Sequence, residues 1–345
     1  MRKINRVLFI GSKQLGLNCL KTIYEESKEL WIGVMTLNDI SDGRTKLNEF
    51  TDFCSIKEIP FFVANNKIDS EKIIRELRPD ICFVVGWYWL IGDYILRYVP
   101  YGFLGIHNSL LPKYRGGSPL IWSIINGEKS IGFSMFTFTE KMDEGDIWFQ
   151  YEFELKIEED INMILKKIEG EVVNQLREHY KKILSDELKP RPQNHEHATY
   201  CAQRKPDDGR IDWHKSAIQV YDFIRAQTLP YPGAFTIYKN EKLIIWKVVI
   251  NANTYYGTPG QVAQISDEGV TVICGDNKSI TIKDVDYKGK RIKPNALIKT
   301  INTRFHYSEL LINQIRDYLV TPEVKGKMFE YIDEYSGINK KTNGS

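Results

Sequence analysis

The chain has 345 residues, 42% hydrophobic and 27% charged, enough to bury one large core or two modest ones and ordinary for a folded globular protein. A formal net charge of +2 gives no strong pull toward nucleic acid or an anionic membrane, and no apolar run reaches the length of a membrane span. The five cysteines, Cys19, Cys54, Cys82, Cys201 and Cys274, are scattered without CxxC spacing, so reduced thiols in a cytoplasmic protein are expected, with no disulfide and no metal.

Residues 7–10 form a short apolar run that ends in the turn 11–16 and passes into a helical pattern reaching residue 26. That is the strand–turn–helix opening of a parallel α/β sheet. Backbone N–H groups of the turn, with Ser12 and Lys13, offer a phosphate-binding edge, but the turn is neither GxGxxG nor a P-loop and a plain connection is the favoured reading. A second strand over 31–35, an amphipathic helix over 46–57, a third strand over 60–63 and a helix over 70–77 follow. Residues 81–86 are continuously apolar, as in a strand covered by helices on both faces. Trp87, Tyr88, Trp89, Leu90 and Ile91 leave it as an aromatic loop before a helix at 93–98. Residues 103–106 lead as a strand to His107. A helix over 118–126, a strand over 132–138, an acid-rich turn and a strand over 147–155 come next. A helix from its cap at Asp160 to residue 184 completes this part.

Residues 191–208 are polar and proline-rich and read as a linker. His195 and His197 within it lack a Cys or carboxylate at ligand spacing, which favours solvated side chains over a metal site. A helix from 211 to 227 is broken by Pro230-Tyr231-Pro232-Gly233. Short strands at 234–238, 243–250, 261–265, 270–274 and 280–285, separated by Gly and Asn turns, predict a small barrel. The expected organisation is α/β: a Rossmann-like domain over 1–190, the linker 191–208, an OB-like β-barrel domain over 209–300, and a helical extension with a polar tail over 301–345.

Two stretches carry the chemistry. Gly105-Ile106-His107-Asn108-Ser109-Leu110-Leu111-Pro112-Lys113-Tyr114-Arg115-Gly116-Gly117 delivers a histidine as the chain leaves an apolar run. Met142-Asp143-Glu144-Gly145-Asp146 follows a second such run. A strand ending in His and a later strand ending in Asp place both side chains at one edge of a sheet. Histidine changes charge near neutrality, and a carboxylate beside it holds the ring and stabilises its charged form.

The pattern His-x-Ser-Leu-Leu-Pro-x-x-Arg-Gly, then Met-Asp-Glu-Gly-Asp, resembles the formyltransferases that use 10-formyltetrahydrofolate. Residues 204–214 and 231–235 resemble the C-terminal domain of the members acting on tRNA and on sugars. The resemblance implies 10-formyltetrahydrofolate as co-substrate. It implies His107 as acid/base and oxyanion donor, with Asp143 as its charged partner. Trp89, Leu90, Ile91, Ser109, Leu110, Leu111, Pro112, Thr139, Glu140, Lys141 and Met142 fall on folate-binding segments. Ser12, Lys13, Arg115, Gly116 and Gly117 are the candidates on the acceptor side, with Arg115 read as stabilising either the loop or an anionic substrate group and the two glycines as allowing close backbone approach. Family members carry Asn two residues before the His, where this chain has Gly105. Losing one such donor typically costs about 2.7–4 kcal/mol of transition-state stabilisation; Asn108, a backbone N–H or a water are the substitutes.

For the acceptor, the expectation is a sugar N-formyltransferase acting on a nucleotide-linked amino sugar bound for a surface glycan. Methionyl-tRNA is the alternative. Members acting on it carry a basic insertion after the second strand, whereas residues 37–46 here hold Arg44 and Lys46 against Asp39 and Asp42. With the near-neutral chain, this argues against a nucleic-acid partner. A folate-binding protein without turnover, suggested by Gly105, is the third reading. The expected partners are folate and a nucleotide sugar, without a membrane; a homodimer is left open.

Overall fold

Alternation of apolar side chains between two faces explains the first of two units. The structure, a computed structural model, describes residues 3–305, and its contacts divide the chain into residues 1–209 with 225–232, and residues 210–224 with 233 onward. The first unit opens with β1 (Arg6–Gly11), α1 (Lys13–Glu26), β2 (Trp31–Leu37), α2 (Leu47–Ile56), β3 (Phe61–Ala64), α3 (Lys67–Leu77), β4 (Ile81–Val85), α4 (Asp93–Leu96) and β5 (Phe103–His107). It continues through β6 (Arg115–Gly116), α5 (Pro119–Ile125), β7 (Ser130–Thr137), β8 (Ile147–Glu154), α6 (Ile161–Leu184) and β9 (Tyr200–Cys201). In β4 the side chains of Ile81, Phe83 and Val85 enter one core with α1 and α6, while Cys82 and Val84 enter another with α3. A strand buried on both faces needs no polar positions, which is why its sequence is uninterrupted.

The main sheet has the order β3-β2-β1-β4-β5-β7-β8. Strands β1 to β5 run parallel, whereas β7 pairs antiparallel with both β5 and β8, so the sheet is mixed. Strand order reverses between β1 and β4, and crevices beyond strand ends at such points are the common ligand sites of open α/β sheets. Helix α6 starts at the expected cap, where the Asp160 carboxylate accepts from the Met163 N–H at 3.0 Å.

The stretch 191–208 is not a free linker. Arg191 exchanges two backbone hydrogen bonds with Ile147, each 2.8 Å, and β9 pairs parallel with β6. Most of its side chains are exposed, as the polar composition suggests, but Gln193 is buried against the rest of the unit.

The second unit comprises α7 (Ala217–Arg225), β10 (Ala234–Tyr238), β11 (Glu241–Asn251), β12 (Val262–Ser266), β13 (Gly269–Ile273), β14 (Ser279–Tyr287), β15 (Lys290–Ile292) and α8 (Pro294–Leu297). Helix α7 begins six residues later than its expected start at 211, because Asp212 accepts from the His214 N–H at 3.0 Å and shapes a turn there. The antiparallel order is β10-β11-β14-β13-β12, with β15 beside β14. Among the described residues nothing pairs β10 with β12, so the strands form a sheet with two ends and not the closed barrel expected. Most of the extension and tail expected over 301–345 lies outside the described residues, which end at Phe305.

Candidate active site

Strand β5 sets the site. Phe103, Gly105 and His107 alternate onto the face that also carries the aromatic loop after β4, and His107 is the last residue before the chain bends. Its Nε2 lies 2.8 Å from the Tyr114 carbonyl oxygen. A carbonyl only accepts, so in the neutral ring Nε2 carries the hydrogen and Nδ1 keeps its lone pair. Nδ1 is 3.6 Å from Asp143 Oδ2. The same carboxylate oxygen accepts from the Gly116 N–H at 2.7 Å.

Asp143 does not end a strand, as the sequence suggested. The loop between β7 and β8 leaves beside Phe103 and folds back along the sheet face, with Asp143 in the left-handed region at φ +52°. Gly145 makes the return: an added Cβ there would sit 1.8 Å from the Thr137 carbonyl oxygen.

Beside this pair is a cavity of about 500 Å³, lined by Trp87, Tyr88, Trp89, Leu90, Ile91, Phe136, Phe138, Thr139, Glu140, Lys141, Met142 and Asp143, with a few neighbours. Trp87 meets Trp89 edge-on at 5.2 Å between ring centroids, Phe136 lies 5.1 Å from Phe138, and Phe136 is edge-on to His107 at 6.1 Å. The walls suit a flat heteroaromatic ring, and the size falls in the roughly 300–1,000 Å³ typical of small-molecule sites. A larger hollow of about 720 Å³ between the ends of α1 and α6 holds Glu25, Glu26, Lys28 and Lys181 without converging chemistry.

The expected folate residues divide accordingly. Trp89, Leu90, Ile91, Thr139, Glu140, Lys141 and Met142 line the cavity; Ser109, Leu110, Leu111 and Pro112 do not. Ser109 donates to the Lys113 carbonyl at 2.7 Å and Leu111 packs with Phe136 and Ile147, so this turn supports the site from below.

The acceptor-side candidates also change meaning. Ser12 Oγ bonds the Gly86 carbonyl and Ser12 N–H bonds the Val85 carbonyl at 3.1 Å, leaving no donor for a phosphate. Lys13 is paired with Asp39 at 2.5 Å and Asp42 at 2.8 Å. Arg115 is 0% exposed and unreachable by an acceptor. Gly116 and Gly117 admit the chain itself: added Cβ atoms would lie 2.5 Å from the Cys201 oxygen and 2.5 Å from Gln203 Cα. Ligand-style motif reading could not foresee that their close approach is to residues some 85 positions onward in the chain.

Gly105 has a partner the sequence did not announce. The Phe138 ring stands where a side chain at 105 would project. Asn108 follows His107 at the bend, its Oδ1 enclosed and without a hydrogen-bond partner in the described residues. Gln193, Tyr200 and Cys201 surround the Asp143 loop and were missed, since nothing in their local sequence marks them. Burial, and then the Asp143 charge, push the Cys201 thiol up to about 11.

Residues 5–178 match the family model described as formyl transferase, and residues 204–302 match the formyl transferase C-terminal domain. A methionyl-tRNA formyltransferase of Acetivibrio thermocellus is 34% identical over 297 residues, covering 83% of this chain and 93% of that one. The bifunctional polymyxin resistance protein ArnA of Wigglesworthia glossinidia brevipalpis is 31% identical over 312 residues, covering 88% of this chain and 46% of its own. Among solved structures, an N-formyltransferase of Helicobacter canadensis in complex with folinic acid and dTDP-3-aminofucose superposes with a TM-score of 0.63. At 18% identity, covering 81% of this chain and 99% of that one, it shows the shared fold.

Proposed function

This chain belongs to the formyl transferase family, an enzyme with 10-formyltetrahydrofolate as its donor, and from that premise we propose that it formylates the amine of methionyl-tRNA. The expected nucleotide amino-sugar acceptor is withdrawn, and with it the exclusion of nucleic acid. Relatives at 27–34% identity over most of the chain are methionyl-tRNA formyltransferases. The loop at 37–46 is balanced in charge, but the near-neutral chain as a whole conceals an uneven distribution. The second unit, over residues 210–224 and 233–305, holds 13 Lys and Arg against 8 Asp and Glu, a local surplus of 5 that a net +2 conceals. The similarity over both matched segments to enzymes of that name is the observation that carries the reading.

When bound, the folate supplies a formyl carbon on a nitrogen leaving group. The aromatic cavity beside Asp143 is where its pterin ring would be held. His107 then acts through Nδ1. With Nε2–H fixed on the Tyr114 carbonyl, Nδ1 takes the proton from the attacking amine and returns it to the leaving nitrogen. Asp143, 3.6 Å from Nδ1, balances the imidazolium once that nitrogen is protonated. Asn108, next to His107, is proposed as the donor to the developing oxyanion through its Nδ2 hydrogens, since its Oδ1 can only accept.

The test is a panel of acceptors with 10-formyltetrahydrofolate, read by product mass: methionyl-tRNA, other aminoacyl-tRNAs and nucleotide-linked amino sugars. Gain of one formyl group on methionyl-tRNA is the expected outcome. Efficient transfer to another acceptor, with methionyl-tRNA untouched, would overturn it.

A further inference from the structure

Arg115 is the largest fully buried side chain described in the molecule, and its guanidinium is spent on a segment far along the chain. Nε and Nη2 both donate to Gln193 Oε1, at 3.2 and 2.7 Å. Nη1 donates to the Tyr200 hydroxyl at 3.1 Å and lies 3.3 Å from Glu144 Oε1; Nη2 also meets His195 Nδ1 at 2.9 Å. Gln193, itself 5% exposed, turns its amide nitrogen the other way, onto the Asp143 carbonyl at 2.8 Å and the Gly145 carbonyl at 2.7 Å. The chain from Thr199 to Cys201 completes the clasp, accepting from Arg115 N–H at 2.9 Å and Gly117 N–H at 3.0 Å.

The geometry points to Arg115 and Gln193 as positioning residues that set Asp143 against His107, making the strap 193–201 part of the catalytic apparatus. The inference rests on the roles given above to His107 and Asp143. A backbone at positive φ is held only where its surroundings over-determine it, and the carbonyls of Asp143 and Gly145 have their amide donor in Gln193. Arg115 fixes that donor by occupying the other end of the same side chain. A planar fork with several donors holds an amide oxygen in one orientation, which a lysine ammonium does not. The Asp143 carboxylate is simultaneously held by the N–H of Gly116, the residue after Arg115, so both ends of Asp143 are referred to one short strand.

Gln193→Glu separates the two roles, because a carboxylate still accepts from Arg115 but cannot donate to the two carbonyls. Its kcat is expected to fall on the order of 100-fold, as for a displacement near 1 Å, while the KM for 10-formyltetrahydrofolate stays within about twofold. Its pH–rate profile, and the His107 imidazole titration followed by NMR, should coincide with those of Asp143→Asn and depart from those of the unsubstituted protein. Gln193→Asn, which keeps donor and acceptor on a shorter stem, should move both readouts part of the way and guards against a folding defect in the first variant. Lower melting temperature with unchanged kcat, pH profile and titration in both would reduce the clasp to a structural role and sink the inference. The NMR titration needs no acceptor, so it decides the matter even if methionyl-tRNA proves the wrong substrate.

Discussion

At position 105 the sheet has no room for a side chain: an added Cβ would lie 2.2 Å from the Phe138 ring and 3.2 Å from the Val84 carbonyl. Gly105 and Phe138 are therefore one packing solution. Gly105→Asn alone should destabilise by about 1–3 kcal/mol through overpacking. Phe138→Ala alone should cost about 3–5 kcal/mol through the cavity it leaves. The double variant should cost less than the two added together, measured by urea denaturation; simple additivity would show that the sites do not share the space. At the same scale, His107→Ala should leave folate binding nearly intact and reduce turnover by about 10²–10⁴-fold, and more than a hundredth of the original rate would remove His107 from its role. Cys201, held protonated up to about pH 11 by burial and the neighbouring carboxylate, should be alkylated at pH 8 on the order of 100-fold more slowly than a free thiol.

Among the elements, the loop after β2 shows how short-range charge can be used up. Lys13 reaches Asp39 and Asp42, Arg44 donates to Asp42 at 3.1 and 3.3 Å, and Thr45 donates to Asp39 at 2.5 Å. Burial alone would raise the Asp42 carboxyl, but hydrogen bonds from Arg44 and Lys13 outweigh it and hold the group well below the usual carboxylate range. A depressed folded value contributes stability that is present above the unfolded value, about 3.9, and is lost as pH falls toward the folded one. The melting-temperature gap between the unsubstituted protein and Asp42→Asn should thus be widest above about pH 5 and shrink below pH 4. A gap that stays constant to pH 3 would exclude this linkage. The loop's charges were legible in the sequence; that they neutralise Lys13 was not, because Lys13 lies 26 residues before Asp39.

For the whole molecule, the distribution of charge matters more than its sum. Two tight turns, at Lys239-Asn240 and at Lys288-Gly289, lie side by side, since Leu243 of β11 faces Tyr287 of β14. Lys290 and Lys293 follow the second turn, both at exposed positions. Charge reversal at both, Lys290→Glu with Lys293→Glu, should weaken methionyl-tRNA binding and reduce the steepness of its salt dependence, leaving the KM for folate unchanged. Equal salt slopes would place the polyanion elsewhere.

What the sequence determined by itself was local. The apolar run of β4, the cap of α6 at Asp160 and the motif around His107 are written in neighbouring residues, where propensity, periodicity and turn chemistry act. The tertiary structure decided which distant groups share a space. It filled the place above Gly105 with Phe138, gave Arg115, a candidate for the loop or for an anionic substrate group, a buried clasp on Gln193 78 residues away, and folded the Asp143 loop back to His107. The physical reason is that a buried donor or ring must find its complement wherever the fold brings one, and sequence separation carries no record of that choice.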